Sequence, residues 1–407
     1  MRILLLSLNY LPELTGIGKF SGEMAEWLAA RGHEVRVIKT PPYYPEWRVH
    51  DGFSAWRYVR ERLAGVDVVR CPLWVPQQPS GTKRVLNLLS FAASSAPAVL
   101  GGALTFRPDV VGVIKPPMFA LPFALLAARM VGAKAWVHVQ DFEIDVAFDM
   151  GLLRGRRLGA GMLGLEAGLL RRFDLATSIS ERMCERLVAK GVAQSQTALF
   201  PNWVDNESIY PLKEPNALRS EFGIDENATV ALYSGNMGEK QGLETLIDVA
   251  RIIIDDPNLV VVLAGEGAVR QRLENQSKGL KNLKFLRLQP LERLNDLLNM
   301  ADVHLLPQRA DAADLVMPSK LGGILASGRP LIAGAHMGTQ VAREVDGVGL
   351  VVAPDDAVAM ATALRTLAAD SSLRKRLGIA ARERANERWA RGAVLGRLEK
   401  RLENLTR

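Results

Sequence analysis

Residues 311–330 of the chain read DAADLVMPSKLGGILASGRP, and apolar runs precede and follow them at 303–307 and 331–334. Both runs predict buried β-strands, and residues 320–327 have a helical pattern that Gly328 ends. The stretch therefore predicts a strand, a loop, a helix and a second strand. In a parallel α/β sheet, such a unit places its loop and the helix N-terminus at the carboxyl edge of the strands, where ligands bind.

The start of this predicted helix has features of a phosphate site. Pro318 and Ser319 precede the helix, and Ser319 is a predicted N-cap. The free backbone N–H groups of the first turn, with the ammonium of Lys320 beside them, would suit a phosphate group. A solvated surface lysine after an ordinary helix start explains the same residues, so both interpretations stay open at this point.

The composition narrows the class of protein and of partner. The chain has 407 residues, 48% of them hydrophobic and 23% charged, which is typical of a globular protein with two or three domains. Cys71 and Cys184 belong to no Cys/His cluster, so neither a zinc site nor a disulfide framework is expected. The apolar start, MRILLLSLNYLPE, has no cleavage pattern of a signal peptide and predicts a buried strand. The net charge of +7 favours a membrane surface or phosphate-bearing ligands, because no nucleic-acid-binding motif is recognisable.

Strands and helices alternate in both halves of the chain, and each half has a glycine-containing loop after its first predicted strand. In the first half this loop contains Gly16 and Gly18, and in the second half it covers residues 234–242. The glycine spacing differs from GxGxxG, so dinucleotide binding is not indicated. Residues 206–225 are polar and contain two prolines, which favours a domain boundary there.

We therefore predict an α/β fold with an N-terminal Rossmann-like domain at 1–208 and a C-terminal one at 209–385. The segment at 386–407 is predicted to be a charged C-terminal helix that packs on either domain, with the N-terminal domain as the candidate. A ligand held between two such domains is the expected arrangement.

Two segments suggest contact with a membrane surface. Residues 85–106 carry no charge, but their serines, glycines and Pro97 favour helices that pack on the sheet over a membrane span. Residues 151–172 carry five arginines and one glutamate among leucines and glycines, which is typical of a basic segment at an anionic membrane surface. A solvated helix face explains the second segment equally well.

Acidic residues follow one predicted strand of the first half. Asp141, Glu143 and Asp145 come after the strand at 135–139, where parallel sheets carry site residues, although they also suit a helix N-terminus. The chain contains no Asp-x-Asp pair, so the usual motif for a metal–diphosphate complex is missing. We expect no metal site and no other cofactor.

Together these motifs resemble the retaining GT-B glycosyltransferases of family 4, over nearly the whole chain. The resemblance implies two Rossmann-like domains that face each other across a cleft. The motifs occur in the family's order: residues 9–38, PPYYPEW (41–47), QDFEID (140–145), FPNWVD (200–205), YSGNMGEKQGLE (233–244), GEG (265–267) and PSKLGGILASGRP (318–330).

The resemblance also implies roles for single residues. Lys240 and Lys320 would neutralise the donor diphosphate, and Asp141 would lie at the edge of the acceptor cleft, so these three are the candidate catalytic residues. The candidate donor-binding residues are Gly16, Gly18, Gly235, Asn236, Gly265, Glu266, Gly267, Arg287, Gln289, Asp314, Pro318 and Ser319.

The chain departs from the family pattern at two positions of the E-x7-E motif. These positions fall on Leu315 and Gly323, where the family has glutamates, and Asp314 is the candidate substitute for the first. Gln140 also stands before Asp141, where the family often has histidine.

The function implied by the resemblance is hexosyl transfer from a nucleotide-diphospho-sugar to a lipid-linked oligosaccharide in exopolysaccharide biosynthesis of the colanic acid type. GDP-fucose is one candidate donor and a UDP-sugar is another. The enzyme would work as a peripheral protein on an anionic surface, the inner face of the cytoplasmic membrane. Two alternatives stay open: a nucleotide-sugar epimerase of the same fold, and an inactive scaffold subunit of a polysaccharide assembly complex, which the missing glutamates would suit.

Overall fold

The computed structural model describes residues 1–13, 16–44, 46–78, 80–142, 156–212, 217–310 and 318–407, without the side chains of residues 156–160 and Lys240. The chain divides into two compact units. The N-terminal unit comprises Met1–Pro201 and Leu395–Arg407, and the C-terminal unit comprises Asn202–Val394. The division thus follows Pro201, whereas the sequence suggested a boundary after residue 208.

The N-terminal unit contains an eight-stranded sheet. Its strands are β1 (Arg2–Ser7), β2 (Glu34–Lys39), β3 (Val59–Leu63), β4 (Val66–Arg70), β5 (Val110–Lys115), β6 (Lys134–Val139), β7 (Leu175–Ser178) and β8 (Thr197–Leu199). They lie in the order β3-β4-β2-β1-β5-β6-β7-β8. Neighbouring strands are parallel except β3 and β4, which form an antiparallel pair at one edge.

Five α-helices are described in the N-terminal unit: α1 (Gly16–Ala30), α2 (Gly81–Phe106), α3 (Leu121–Val131), α4 (Arg156–Leu170) and α5 (Glu181–Ala189). The predicted buried strands of this half are confirmed. The sequence revealed them because a parallel strand that is covered on both faces is almost continuously apolar. The β3–β4 pair was not predicted. Three of the five residues of β3 are charged, and an edge strand that is partly exposed needs no apolar pattern.

Helix α2, in which residues 85–106 carry no charge, packs on the sheet, as expected. Phe91, Ala92 and Val99 are buried in the core of the N-terminal unit together with residues of β1. The opposite face exposes Leu86, Leu89 and Leu104. By length and composition alone, α2 could also cross a membrane.

The C-terminal unit contains a six-stranded sheet. Its strands are β9 (Thr229–Ser234), β10 (Leu259–Ala264), β11 (Leu283–Leu286), β12 (Val303–Leu306), β13 (Leu331–Gly334) and β14 (Gly349–Val352). They lie in the order β11-β10-β9-β12-β13-β14, and all neighbours are parallel. All carboxyl ends therefore lie at one edge of the sheet.

Eight α-helices are described in the C-terminal unit: α6 (Ala217–Glu221), α7 (Glu244–Ile252), α8 (Arg270–Gln276), α9 (Leu294–Met300), α10 (Lys320–Ala326), α11 (Gln340–Val345), α12 (Ala357–Ala369) and α13 (Ser371–Arg384). The strand–helix–strand prediction for the 303–334 region is confirmed by β12, α10 and β13. The apolar side chains of α10 pack in a core cluster with Leu306, Ala333 and Trp389.

The last helix, α14 (Arg391–Thr406), begins in the C-terminal unit and continues in the N-terminal unit from Leu395. There Glu399 accepts hydrogen bonds from Arg31 Nε and pairs with His33 Nε2, each at 2.9 Å. Ligand atoms of His33, Glu399 and Glu403 lie within 4.8 Å of one another. Because the Arg31 guanidinium already supplies the positive charge opposite Glu399, we do not assign a metal to this group.

Candidate active site

Two glycine-containing loops meet at the carboxyl edge of the C-terminal sheet. Gly235 follows β9, and Gly265 and Gly267 follow the neighbouring β10, with φ angles of 137°, 145° and 156°. A Cβ on Gly265 would lie 2.0 Å from the Gly235 carbonyl oxygen, and one on Gly267 would lie 2.3 Å from that of Met237. These loops pack backbone against backbone, so a side chain at Gly265 or Gly267 would force them apart.

Backbone hydrogen bonds hold the two loops in this position. Gly235 N–H donates to Ala264 O at 2.9 Å, and Met237 N–H donates to Glu266 O at 2.8 Å. Gly265 N–H donates to Leu286 O of β11 at 3.0 Å. The carboxyl ends of three adjacent strands are thereby joined into one surface of closely packed backbone.

Lys320, the first residue of α10, lies against this surface. Its Nζ is 3.8 Å from the centroid of the Tyr233 ring, and a Cβ on Gly235 would lie 3.1 Å from the same atom. Burial lowers the pKa of Lys320 to about 7. Within the described surroundings of Lys320, burial is the cause of this shift, and no carboxylate among the described residues contributes to it. The amine is therefore only partly protonated at pH 7, and an anion bound beside it would favour the ammonium form.

Tyr233 also supports the first loop directly. Its side chain is fully buried, and its hydroxyl donates to the Asn236 carbonyl at 2.6 Å. Burial raises the pKa of Tyr233 well above its ordinary value, so the phenol stays protonated and keeps this donor. The hydrogen bond therefore holds the main chain of Asn236, and the residue as a whole is exposed to solvent.

Arg270, in α8, fixes the second loop. It donates to the Gly265 carbonyl and, at 2.8 Å, to the Leu286 carbonyl. Its guanidinium also lies 3.3 Å from the Glu266 carboxylate and pairs with Glu274. Glu266 thus has one positive partner within the unit and keeps an exposed side chain.

The remaining predicted residues of this edge follow β11. Arg287 is exposed, and Gln289 Nε2 donates to its carbonyl at 3.0 Å. Arg293 approaches Gln289 Oε1 at 3.5 Å. Because β11 adjoins β10, Arg287 and Gln289 lie at the same edge of the sheet as Gly265.

The start of α10 differs from the prediction in one respect. Ser319 has helical dihedral angles and makes no side-chain capping hydrogen bond, so the N-cap expected there is wrong. The helix is instead entered through a turn in which Leu321 N–H donates to Pro318 O at 3.0 Å. A Cβ at Gly323 would meet Leu298 and Ile209 at 3.5 and 3.8 Å, so this position faces apolar side chains.

Gly16 and Gly18, in the N-terminal unit, have different environments. Gly16 begins α1 with a φ of 53° and open space around it, whereas a Cβ on Gly18 would lie 2.8 Å from Glu13 Cβ. Glu13 is buried and accepts hydrogen bonds from the main-chain N–H groups of Tyr43 and Tyr44. Gly18 thus permits close packing on a carboxylate that orders residues of the PPYYPEW motif.

Asp141 follows β6 and is exposed. Its carbonyl accepts a hydrogen bond from Lys115, the last residue of β5, at 3.2 Å. Lys115 Nζ lies 2.6 Å from Glu166 Oε1, and Lys190 Nζ lies 2.8 Å from Glu166 Oε2. A buried set of ionised groups therefore stands beneath Asp141 and the adjacent Phe142, whose ring contacts both lysines.

Two predicted residues cannot be placed. Asp314 lies outside the described residues, and so does the side chain of Lys240, although its backbone is part of the short helix Glu239–Gln241. Four residues were missed: Tyr233, Arg270, Lys115 and Glu166. Arg270 carried a usable signal, since it lies one turn after the GEG motif. The other three are distant in sequence from the residues they support.

Comparison with known proteins gives the family. Residues 15–203 match the model of the glycosyl transferase 4-like domain, and residues 215–384 match that of the glycosyl transferases group 1. The chain is 42% identical over 376 residues to the putative colanic acid biosynthesis glycosyl transferase WcaI of Escherichia coli (strain K12), covering 90% of this chain and 91% of that protein. A GDP-mannose-dependent alpha-(1-6)-phosphatidylinositol monomannoside mannosyltransferase of Mycolicibacterium smegmatis is 25% identical over 422 residues, 97% of each chain.

Solved structures give the same fold at low sequence identity. Sucrose-phosphate synthase from Thermosynechococcus elongatus superposes with a TM-score of 0.74 at 17% identity, covering 100% of this chain and 99% of that one. Anabaena Alr3699/HepE in complex with UDP superposes with a TM-score of 0.71 at 16% identity, covering 99% and 100%. With two family models and a relative across nearly its whole length, the chain belongs to the glycosyltransferases of the GT-B fold, as a glycosyl transferase 4-like domain followed by a glycosyl transferases group 1 domain.

Proposed function

We propose that this glycosyltransferase moves a hexose, with retention at the anomeric carbon, from a nucleotide-diphospho-sugar to a lipid-linked oligosaccharide in exopolysaccharide biosynthesis. The observation that carries the donor half of this proposal is the Lys320 ammonium, held 3.8 Å from the Tyr233 ring beside the Gly235 loop. A buried cation that no described carboxylate neutralises is suited to a ligand that brings its own negative charge.

The proposed role of this cation is to stabilise the leaving group. Transfer breaks the bond between the anomeric carbon and the diphosphate oxygen, and the electron pair stays on the diphosphate. Positive charge fixed in advance beside that oxygen lowers the barrier, and a partly dehydrated site strengthens the effect. Lys320 would supply the charge, with Lys240 as the second candidate. We propose that no metal or other cofactor takes part, because these two lysines would provide the charge that an Asp-x-Asp-bound metal provides elsewhere.

The surrounding loops suit the rest of the donor. Gly235, Gly265 and Gly267 let the two loops pack backbone against backbone beside Lys320, so that closely spaced main-chain groups at this edge would face a phosphate or ribose. Asn236, Glu266, Pro318, Ser319 and the Arg287–Gln289 step are the candidates for further donor contacts, with Asp314. Gly16, Gly18 and Asp141 are the candidates in the N-terminal unit.

The biosynthetic context is proposed from the relatives. A 42% identical protein is named for colanic acid biosynthesis, and a more distant relative is named for a GDP-mannose-dependent transfer to a phosphatidylinositol monomannoside. These names support an exopolysaccharide product, a lipid-borne acceptor and a nucleotide-sugar donor. They leave GDP-fucose and UDP-sugars as competing donors.

A donor panel tests this function. Purified protein is incubated with GDP- and UDP-hexoses and a lipid-linked oligosaccharide extract, and the product linkage is determined by NMR. We expect transfer from one donor with an α-linkage if that donor is an α-linked nucleotide sugar. Release of a modified sugar without acceptor would indicate an epimerase instead. Failure of every donor to bind in calorimetry would favour the inactive scaffold subunit.

We also propose that an anionic membrane surface binds the N-terminal unit, and an exposed aromatic patch supports this. Trp56, Tyr58 and Trp74 are 74%, 53% and 37% exposed. Tyr58 Oη donates to the Ser94 carbonyl, and Trp74 N–H donates to Ser90 Oγ, so both border the exposed face of α2. Exposed aromatic and leucine side chains beside cations are typical of a surface that rests on anionic lipid.

Exposed cations lie close to this patch in the sequence, with Arg57 between Trp56 and Tyr58 and Lys83 and Arg84 in the first turn of α2. The other segment expected at the membrane, 151–172, is only partly described, and Leu169 and Leu170 at its end are buried in the core rather than free for lipid. The aromatic patch of Trp56, Tyr58 and Trp74 is therefore the better candidate within the described residues.

Vesicle sedimentation tests the membrane surface. We expect binding to phosphatidylglycerol vesicles to fall steeply as salt is raised, because screening shortens the reach of the surface potential. Trp56→Ala should weaken binding about tenfold through lost apolar contact. Met337→Ala, an 84% exposed apolar residue of the C-terminal unit, is the matched control and should bind normally. Binding that is absent, or equally affected by both substitutions, would contradict the assignment.

A further inference from the structure

A cavity of the C-terminal unit lies at the opposite edge of its sheet from Gly235. It has a volume of about 430 Å³ and is lined by Asp302, directly before β12, and by Pro330, directly before β13. In a parallel sheet, residues that precede the strands mark the amino edge, whereas Gly235 and Gly265 follow strands at the carboxyl edge. The cavity is therefore separate from the proposed donor site.

One face of α13 forms a wall of the cavity. Ser371, Arg374, Lys375, Gly378, Arg382 and other lining residues recur at intervals of three and four along this helix. Gly378 allows the helix to approach the turn after α10 closely, since a Cβ there would lie 2.3 Å from the Gly328 carbonyl oxygen. The glycine contact fixes the distance between the α13 side chains and Arg329.

The cavity lining has more positive than negative charge. Four cations line it, Arg329, Arg374, Lys375 and Arg382, against the carboxylates of Asp302 and Glu383. Asp302 is already paired with Arg219 at 2.8 Å.

Backbone carbonyls orient two of the four cations. Arg382 donates to the carbonyls of Ile209 and Ala326 at 2.7 and 2.8 Å, and Arg374 donates to that of Ala368 at 2.7 Å. These contacts position the guanidiniums without cancelling their charge.

One donor of the Arg329 guanidinium is unsatisfied, although the Asp302 carboxylate acts on the group electrostatically. Its Nε is shielded from solvent and makes no hydrogen bond to any residue that the structure describes. A buried charged donor left unpaired costs free energy, and an oxygen of an anion would remove that cost. Burial is the largest cause that lowers the pKa of this guanidinium, and an anion would oppose the effect.

We propose that this cavity binds the dianionic phosphate group of a small phosphomonoester, through Arg329, Arg374 and Lys375. Two negative charges match the excess of cations, and Arg guanidiniums hold tetrahedral phosphate oxygens well. A volume of about 430 Å³ is within the range of small-ligand pockets, so it can admit the group esterified to the phosphate. The site would bind its ligand independently of the sugar donor.

Phosphate titrations test this site in the full-length protein at constant ionic strength. The probes are inorganic phosphate and glycerol 3-phosphate, followed by calorimetry and by the shift in Tm. Arg329→Gln should weaken binding about tenfold or more, because it removes a charged donor. Lys375→Gln, on an exposed residue, should weaken it about two- to fivefold. Arg376→Gln, a neighbouring exposed cation outside the cavity lining, is the matched control and should change binding less than about twofold.

Further measurements distinguish phosphate binding in this cavity from phosphate binding elsewhere on the protein. Lys320 can itself attract phosphate, so the titrations are repeated in the Lys320→Met background. Binding that remains there and is weakened by adding Arg329→Gln belongs to this cavity, whereas binding that is lost in Lys320→Met alone belongs to the donor site and overturns the proposal. Wild-type protein that binds neither probe, or Lys375→Gln and a folded Arg329→Gln that both bind normally, would also overturn it. Vesicles with phosphatidic acid distinguish a lipid headgroup: binding of vesicles alone, lost in the same variants, would exclude a soluble phosphomonoester.

Discussion

Lys320→Met is expected to lower kcat/KM for the nucleotide-sugar donor by about 10²–10³-fold, the usual effect of removing one group that stabilises charge in a transition state. The substitution keeps a long apolar side chain against the Tyr233 ring and removes only the ammonium, which lies 3.8 Å from the ring centroid. The measurement is steady-state transfer with the donor identified in the panel. Lys278→Met, on an exposed lysine of the same unit, is the control and should transfer at the wild-type rate.

The stability of Lys320→Met should move in the opposite direction from its activity. Burial lowers the pKa of Lys320 to about 7, so the folded state disfavours the charged form relative to the unfolded chain. This destabilisation is complete below pH 7 and disappears as the pH rises toward the ordinary lysine range. Urea unfolding at pH 6 should therefore find the variant at least as stable as wild type. A loss of both stability and activity would indicate a structural role instead.

The same pKa predicts the pH profile. In the free enzyme the ammonium is lost as the pH rises through about 7, so wild-type kcat/KM should decline above that value. The residual activity of Lys320→Met should lack this decline, because the titrating group is gone. A wild-type profile that stays flat up to pH 9, or one that the variant keeps, would remove Lys320 from the donor step.

Glu166→Leu is expected to lower the free energy of unfolding by about 3–5 kcal/mol at pH 7, as breaking a buried ion pair usually does. The side chains of Lys115 and Glu166 are 1% and 0% exposed, with Nζ and Oε1 2.6 Å apart. Removing the carboxylate leaves the Lys115 ammonium buried without its counter-charge. The other lysine that contacts Glu166, Lys190, lies 2.8 Å from Oε2 and its side chain is 12% exposed. Without Glu166, Lys190 can therefore reach solvent more easily than Lys115.

A double variant separates this charge effect from lost packing. Lys115→Met with Glu166→Leu replaces the pair by apolar side chains of similar size and should recover most of the loss. Glu185→Gln removes the exposed partner of Arg182 and should unfold like wild type. If the double variant is as unstable as Glu166→Leu alone, the cost is one of packing and the ion pair is not its cause.

The pH dependence of this effect has a definite sign. Burial acts to raise the pKa of Glu166, but the adjacent Lys115 and Lys190 ammoniums outweigh it and hold the pKa below its usual range. The stabilisation from the carboxylate is therefore complete above about pH 5 and is lost as the pH falls through the lowered native pKa. The difference between wild type and Glu166→Leu should narrow in acid.

Loss of Glu166 should also change the position of Asp141, the candidate residue at the acceptor cleft. Lys115 donates to the Asp141 carbonyl at 3.2 Å and its Nζ lies 5.4 Å from the centroid of the Phe142 ring. Freed from Glu166, Lys115 would no longer hold this main chain in one place. We therefore expect Glu166→Leu to raise KM for the acceptor more than KM for the donor.

Local patterns in the sequence were sufficient for most of the fold. The alternation of apolar runs and helical segments predicted β9 to β13 closely, because a parallel strand covered on both faces must be apolar along its length. The same logic failed for β3 and β4, where an edge position tolerates Arg60, Glu61 and Arg62. The expected cap at Ser319 failed because the chain enters α10 already in a helical conformation.

The sequence by itself determined the family, the two α/β units, the glycines of the two loops and the candidacy of Lys320, because residue type and spacing along the chain define all of these. Only the tertiary structure decided that Lys320 lies on Tyr233, that the Gly235 and Gly265 loops touch backbone to backbone, and that Glu166 joins two lysines beneath Asp141. These contacts join residues far apart in the chain, and their distances follow from how the strands align side by side. Strand alignment results from packing of the whole unit, which no local pattern records.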